Sequence, residues 1–534
     1  MEGTGVHGAE LVLLLLLLFV AVFAALARKL QTPYPIVLVI AGLLLGFVPG
    51  IPQVTLDPDL IFLVALPPLL YAAAWVTSWR DFSRNLISIS MLAFGLVSVT
   101  VVGVALAGPW LFPGFDWRIG FVLGSAVATT DAIAATSIAK RIGLPKRIVD
   151  LLEGESLLND ATGLLALEFA VAMVVRGQDP TVGAGLLRLL YLTFAGIASG
   201  LVLARIVEWF EHRIDDGPIE IAISILVPYA AYLSAEAIHA SGVLAVVAAG
   251  LYLGRKSSKF LSPRVRLQAR AVWDSLEFIL NGFVFMLIGL QLPSVLEGVS
   301  ELKTGRLILY GVLFSAFLIL LRIVWTFPGA HLSHLIRTCL LHQIEPRPEA
   351  RQTFVIGWTG MRGVIALAAA MSLPDTIADG SPFPHRDLIV FLTFCVILVT
   401  LVLQGLTLPP LIRMLGLAET SHPKPEDQEA RRLVLQAAQA RLEEIRRSDP
   451  WGFEHVYDDL EQHYKHRLAS IGWFDQEEDR THAEHYFRYV DLSLKLLEVE
   501  RETALRLRDE GRITDEALRE LEHEQDLSET RLAL

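Results

Sequence analysis

Two aspartates stand inside segments otherwise apolar enough to cross a bilayer: Asp131 in the stretch 118–139 and Asp160 in the stretch 150–175. An ionisable group in bilayer hydrocarbon costs roughly 2.5 kcal/mol or more, so each of these carboxylates calls for a partner, a water-filled space or a function. A short basic loop with Lys140, Arg141, Lys146 and Arg147 separates them, and Glu153, Glu155, Ser156, Asn159 and Thr162 crowd around the second.

Eleven further stretches have the same apolar character, which gives about thirteen spans at 9–27, 34–49, 59–77, 86–108, 118–139, 150–175, 185–208, 219–239, 242–254, 271–292, 305–327, 353–374 and 387–410. With 53% hydrophobic residues and a mean hydropathy of +0.50, the 534-residue chain holds more apolar sequence than a soluble core needs. The expected class is an all-α polytopic membrane protein. The run Leu11 to Leu26 follows Glu2 and Glu10 with no Lys or Arg before it, so it reads as a membrane helix and not as a signal peptide. Cys339 and Cys395 form neither a disulfide framework nor a metal-type spacing, and no cofactor is called for.

Basic residues fix the orientation. About eighteen Lys and Arg, from Arg28 and Lys29 through Arg80, Arg84 and Arg255 to Arg351, gather in alternate loops, against about half a dozen in the others. The N-terminus is therefore expected outside and the C-terminal tail in the cytoplasm. The net charge of -12 belongs mostly to that tail and does not argue for a nucleic-acid partner. The expected division is a membrane domain over 1–417 and a small helical cytoplasmic domain over 418–534. Pro423 and Pro425 mark its linker, Asp449-Pro450 a helix start, and Leu492, Leu496, Val499 and Leu505 a helical apolar spacing.

On a helix, Ser156 lies one turn before Asp160 and Gly163 about one turn after it, while Glu155 and Asn159 share the adjoining face. One strip offers oxygen ligands to a cation, and the strip beside it offers groups to hold them. A buried carboxylate is tolerated as the neutral acid or beside a cation, but hardly bare, so Asp160 can hold a proton or a metal ion and not both. If the site faces each side of the membrane in turn only when occupied, that exclusion couples the two fluxes. Asp131 follows Thr129 and Thr130, with Gly124 and Ser125 before them. This suits either a helix broken at the midplane that presents carbonyls to a cation, or a continuous helix with the threonines bonded to their own backbone. A matching stretch at 357–363, GWTGMRG, sets Gly357, Gly360 and Gly363 three apart around Arg362. Arg cannot discard its charge, so Arg362 is expected to pair with Glu155 or to reach an aqueous cavity. The glycine row is otherwise ordinary close packing.

EGESLLNDATG at 153–163 and GWTGMRG at 357–363, with ATTD at 128–131, PYPIVLVIAGLLLGFVPG at 33–50 and LPPLLYAAAW from Leu66, resemble the monovalent cation/proton antiporters of the NhaP and sodium/proton exchanger type. The likeness runs from Gln31 to about Leu417 and leaves the tail without a counterpart. It implies inverted repeats, two broken helices crossing at the ion site, a homodimer in the plasma membrane, and alternating access by a moving core. Carried over by position, Asp160 is the carrier of ion and proton, with Ser156, Asp131 and the Thr130 carbonyl as further ligands. Glu155 and Arg362 become the structural pair. Asn159 stands where the electrogenic branch has a second aspartate, which implies one-for-one exchange of Na+, Li+ or K+ for H+ in pH and sodium homeostasis. Two departures bear on this: Ala132 stands where members often have proline after the Thr-Asp pair, and Ala72 follows Tyr71 where many have an acidic residue.

An ion-coupled solute symporter on the same architecture is the alternative. An intramembrane enzyme is not expected, because the chain has no HExxH pair and no clear intramembrane Ser/His arrangement. Asp274, Glu277 and Asn281 share one helical face, either as an access funnel or as a helix-start cluster favoured by the dipole. The tail's His463, His466, His482 and His485 are either pH sensors or solvated helix surface.

Overall fold

The computed structural model describes residues 4–49, 58–177, 182–214, 216–300, 303–342, 347–418, 425–448, 454–469 and 477–533. The chain divides into two compact units, Met1–Thr420 and Ser421–Leu534.

The first unit opens with α1 (Thr4–Lys29), α2 (Tyr34–Gly46), α3 (Pro58–Val76) and α4 (Trp79–Leu111). Two short helices, α5 (Trp117–Ala126) and α6 (Ala132–Ile142), precede the long α7 (Lys146–Arg176). Then come α8 (Val182–Glu211), α9 (Gly217–Ala237), α10 (Gly242–Phe260), α11 (Pro263–Leu290) and the short α12 (Leu292–Gly298). After α13 (Thr304–Leu340), a second pair of short helices, α14 (Ala350–Trp358) and α15 (Val364–Met371), leads to α16 (Arg386–Met414). Among the described residues, eight helices are long and apolar enough to cross a membrane. The expected thirteen spans exceed that number by five: α2 has 13 residues, α10 carries Arg255, Lys256 and Lys259, two spans are split into short halves, and the side chains of the first ten residues of α1 lie outside the described residues.

Local chemistry explains both the splits and the stops. Asp116 caps α5 by accepting from the Ile119 amide at 2.8 Å, and Asp131 caps α6 by accepting from the Ile133 amide at 2.8 Å. Gly143 at φ 76° ends α6 and Gly177 at φ 62° ends α7, a left-handed geometry that costs glycine least. Pro145 then sets the start of α7. Within α4, the turns at Met91–Leu96 widen. Two side chains reach the carbonyls there: the Trp325 indole donates to Met91 O at 3.3 Å and the Thr162 hydroxyl to Ala93 O at 2.8 Å.

Two large apolar clusters, with a small third of Val97, Val101 and Ala128, hold the unit together. One gathers α2, α5, α6, α11 and α13–α16, and the other gathers α3, α8, α9 and α10. α7 contributes to both, with Ile148 and Leu167 in the first and Leu151 and Leu157 in the second. Its polar face is thereby enclosed on both sides.

The second unit contains α17 (Pro425–Ser448), α18 (Glu454–Ala469), α19 (Glu477–Asp509) and α20 (Asp515–Ala533). Among its described residues, Leu435, Leu497, Ala504 and Leu518 are the buried apolar ones. Arg446 of α17 bridges to Glu454, to Asp458 at 3.0 Å and to Glu461 at 3.3 Å on α18. Arg501 of α19 reaches Asp526 and Glu529 of α20, each at 2.6 Å. His466 and His485 stack edge to face at 5.9 Å, whereas the side chain of His482 lies outside the described residues. Pro423 and the Asp449-Pro450 pair also lie outside them.

Candidate functional site

Residues 127–131 separate α5 from α6, and residues 359–363 separate α14 from α15. The two interruptions meet: the Asp131 amide donates to Met361 O at 2.9 Å. Exposed peptide groups at such a crossing must be satisfied within the protein, because lipid offers no partners. Arg362 meets much of that need. Its Nε donates to Val127 O at 2.6 Å and its Nη1 to Gly360 O at 2.8 Å, so one guanidinium lies against the carbonyl ends of both interruptions. Cations suit helix C-termini in this way. Its amide donates to the Thr400 hydroxyl at 3.1 Å, which tethers the second interruption to α16.

Arg362 therefore does not pair with Glu155, contrary to the sequence reading. The partner is Arg322, in the middle of α13, whose Nη1 and Nη2 donate to Glu155 Oε1 and Oε2 at 2.5 and 2.8 Å. Both side chains are only 2% exposed. The same guanidinium donates to Ile356 O at 3.1 Å near the end of α14. Glu155 Oε1 also accepts from the Thr130 hydroxyl at 3.1 Å, and that hydroxyl accepts in turn from the Asn159 amide. The signal for Arg322 was available as a lone basic residue inside the apolar run LLRIVWTF. Two intramembrane arginines compete for one carboxylate, and only the crossing of the helices decides between them.

On the other side of α7, the Ser156 hydroxyl donates to Thr130 O at 2.9 Å, and the Ala132 amide lies 3.4 Å from the same hydroxyl. Ser156, Thr130, Asp131 and Asp160 line one cavity of about 450 Å³. Asp160 is 2% exposed, and among the described residues no group donates a hydrogen bond to its carboxylate or pairs with it. Close approach is built into this region. A Cβ on Gly363 would lie 2.6 Å from Asp131 Cβ and Oδ2, and one on Gly163 would lie 2.6 Å from Thr129 Cγ2. The sequence-predicted residues Asp131, Thr130, Ser156 and Asp160 thus share the cavity, whereas Glu155, Asn159 and Arg362 belong to the packing behind it. No cluster of His, Cys, Asp and Glu fit to hold a resident metal occurs among the described residues.

Interrupted helices that meet inside a bundle of apolar spans, beside buried carboxylates that line a cavity, define the class of secondary transporters. The transmembrane sodium/hydrogen exchanger family matches residues 14–414, and the chain belongs to that family. A Mycobacterium tuberculosis protein named an uncharacterized Na+/H+ exchanger is 34% identical over 529 residues, spanning 98% of this chain and 96% of its own. That match takes in the C-terminal helices, for which the sequence reading found no counterpart. The sodium, potassium, lithium and rubidium/H+ antiporter of Bacillus subtilis is 32% identical over 410 residues, 75% of this chain and 61% of its own. The Na+/H+ antiporter ApNhaP of Aphanothece halophytica is 34% identical over 388 residues, 72% of this chain and 70% of its own. In fold, the chain resembles the sodium proton antiporter MjNhaP1 from Methanocaldococcus jannaschii, with a TM-score of 0.59 at 20% identity over 76% of this chain and all of that one. The family consists of transporters and not enzymes.

Proposed function

We propose that the protein is a secondary active antiporter that exchanges Na+, or Li+ or K+, for H+ across the plasma membrane, one for one, with proton and cation competing for Asp160. The observation that carries this reading is the Asp160 carboxylate, buried beside a cavity of mixed polar and apolar lining with no donor or cationic partner among the described residues. In low-dielectric surroundings such a group is stable as the neutral acid or beside a cation, and each form excludes the other. Asp131, the Ser156 hydroxyl and the Thr130 carbonyl complete an oxygen ligand set for a hard alkali cation. Asn159 is neutral, which leaves one exchangeable charge beside Asp131 and supports an electroneutral cycle.

Glu155 and Arg322 hold the carrier helix in place, and Arg362 locks the crossing. The domain over 1–417 acts as the transporter and that over 418–534 as its helical cytoplasmic, regulatory tail. We place the N-terminus outside and read thirteen spans in an inverted repeat, assembled as a homodimer in the lipid bilayer. The names of the relatives favour exchange over solute symport. The test is a proteoliposome with an acid interior and a pH-sensitive dye. External Na+ is expected to alkalinise the interior, and no response to any alkali cation overturns the assignment.

A further inference from the structure

On the wall of the cavity contributed by α11, Asp274, Glu277 and Asn281 descend one helical face from the exposed Asp274 through the half-buried Glu277 to Asn281, which is 1% exposed. All three line the same cavity as Asp131 and Asp160. The Asn281 amide has the Tyr34 phenol of α2 within hydrogen-bonding reach of its NH2 group, whereas its oxygen accepts no hydrogen bond among the described residues. An unsatisfied buried polar group costs about 1–3 kcal/mol, so a contact with Tyr34 alone leaves this oxygen unexplained. The helix-start explanation fails too, because α11 begins at Pro263 and the dipole fades beyond the first turn. Arg270 of α11, Glu153 of α7, Asp131, Asp160 and Tyr34 of α2 face the same space.

We propose that Asn281 and Glu277 form an outer cation subsite through which a partly dehydrated alkali cation passes on its way to Asp160. The Asn281 oxygen replaces a hydration water, and Glu277 holds positive charge in the approach. Asn281 projects from α11, whereas Asp160 projects from α7, so the subsite takes the ion on the wall facing the carrier helix. This inference rests on the exchange reading above and names a second ligand group for the same ion.

The experiment uses the full chain in proteoliposomes and measures exchange against Na+, Li+ and K+ concentration for Asn281→Leu, Asn281→Ser, Glu277→Gln and Asp160→Asn. Asn281→Leu is expected to raise the apparent KM about tenfold with maximal rate within about twofold, the mark of lost substrate binding. The ranking of the three cations should shift as well. Asn281→Ser should keep part of the affinity, and Glu277→Gln should raise KM about threefold. Unchanged KM values in Asn281→Leu, or a fall in maximal rate alone, overturn the subsite. If that variant does not fold, unchanged KM values in Asn281→Ser and Glu277→Gln overturn it instead. Exchange retained by Asp160→Asn would sink the carrier reading, whereas an inactive Asp160→Asn beside an indifferent Asn281→Leu would sink only this inference.

Discussion

Glu155 and Asp160 lie little more than one turn apart on α7, and both are all but sealed from solvent. Glu155 has Arg322 on both oxygens and the Thr130 hydroxyl on one. Asp160 has no such partner among the described residues and faces a cavity. The difference separates two uses of a charge inside a membrane. A saturated carboxylate fixes the geometry of the helices that meet it, while an unsaturated one keeps its coordination capacity for something that comes and goes. The two are coupled in space, since Thr130 gives its hydroxyl to the first region and its carbonyl to the second.

The contrast breaks most visibly at Asp160. Asp160→Asn should insert and purify as the parent protein does while exchange falls at least about a hundredfold, since a neutral amide cannot take the proposed role of carrying both ions. Proteoliposome flux beside size-exclusion profiles checks this. Arg322→Met should act on the other side of the contrast, lowering stability by about 3–5 kcal/mol because it strands Glu155 without its partner. Thermal unfolding in detergent reads that loss, and the double variant Glu155→Leu with Arg322→Met should recover part of it.

Smaller changes sharpen the boundary between the regions. Gly363→Ala forces a Cβ against Asp131 at a spacing of 2.6 Å, and such overpacking costs about 1–3 kcal/mol. Exchange should drop several-fold with it, which a flux assay against unfolding temperature resolves. Ser156→Ala removes the 2.9 Å hydrogen bond to Thr130 O, worth about 1 kcal/mol, and should raise the KM for the cation a few-fold. Lys146→Met, at the exposed pair with Asp81 at 2.6 Å, should change stability by less than about 1 kcal/mol and leave exchange alone.

The sequence made much of this legible because its signals are local. A Thr-Thr-Asp run, a glycine row and a carboxylate in an apolar span each declare themselves within a few residues, and both interruptions fall on those runs. The identity of Glu155's partner is not local. Arg322 sits in an unbroken helix and Arg362 in an interruption; only the crossing of the helices brings Arg322 to the carboxylate on α7 and leaves Arg362 on Val127 O. Thr400 was missed for the same reason, since its role comes from the amide of a residue on another segment. Asn281 was visible as a polar residue on a helical face, but the open oxygen of its amide appears only in the packed cavity wall.

The dependence of the apparent KM for Na+ on pH tests the rivalry of proton and cation at Asp160 most directly. Competition for one carboxylate makes KM rise about tenfold for each unit of acidification once the proton form dominates, with maximal rate unchanged. A KM that stays constant as the medium is acidified, while transport continues, would contradict it.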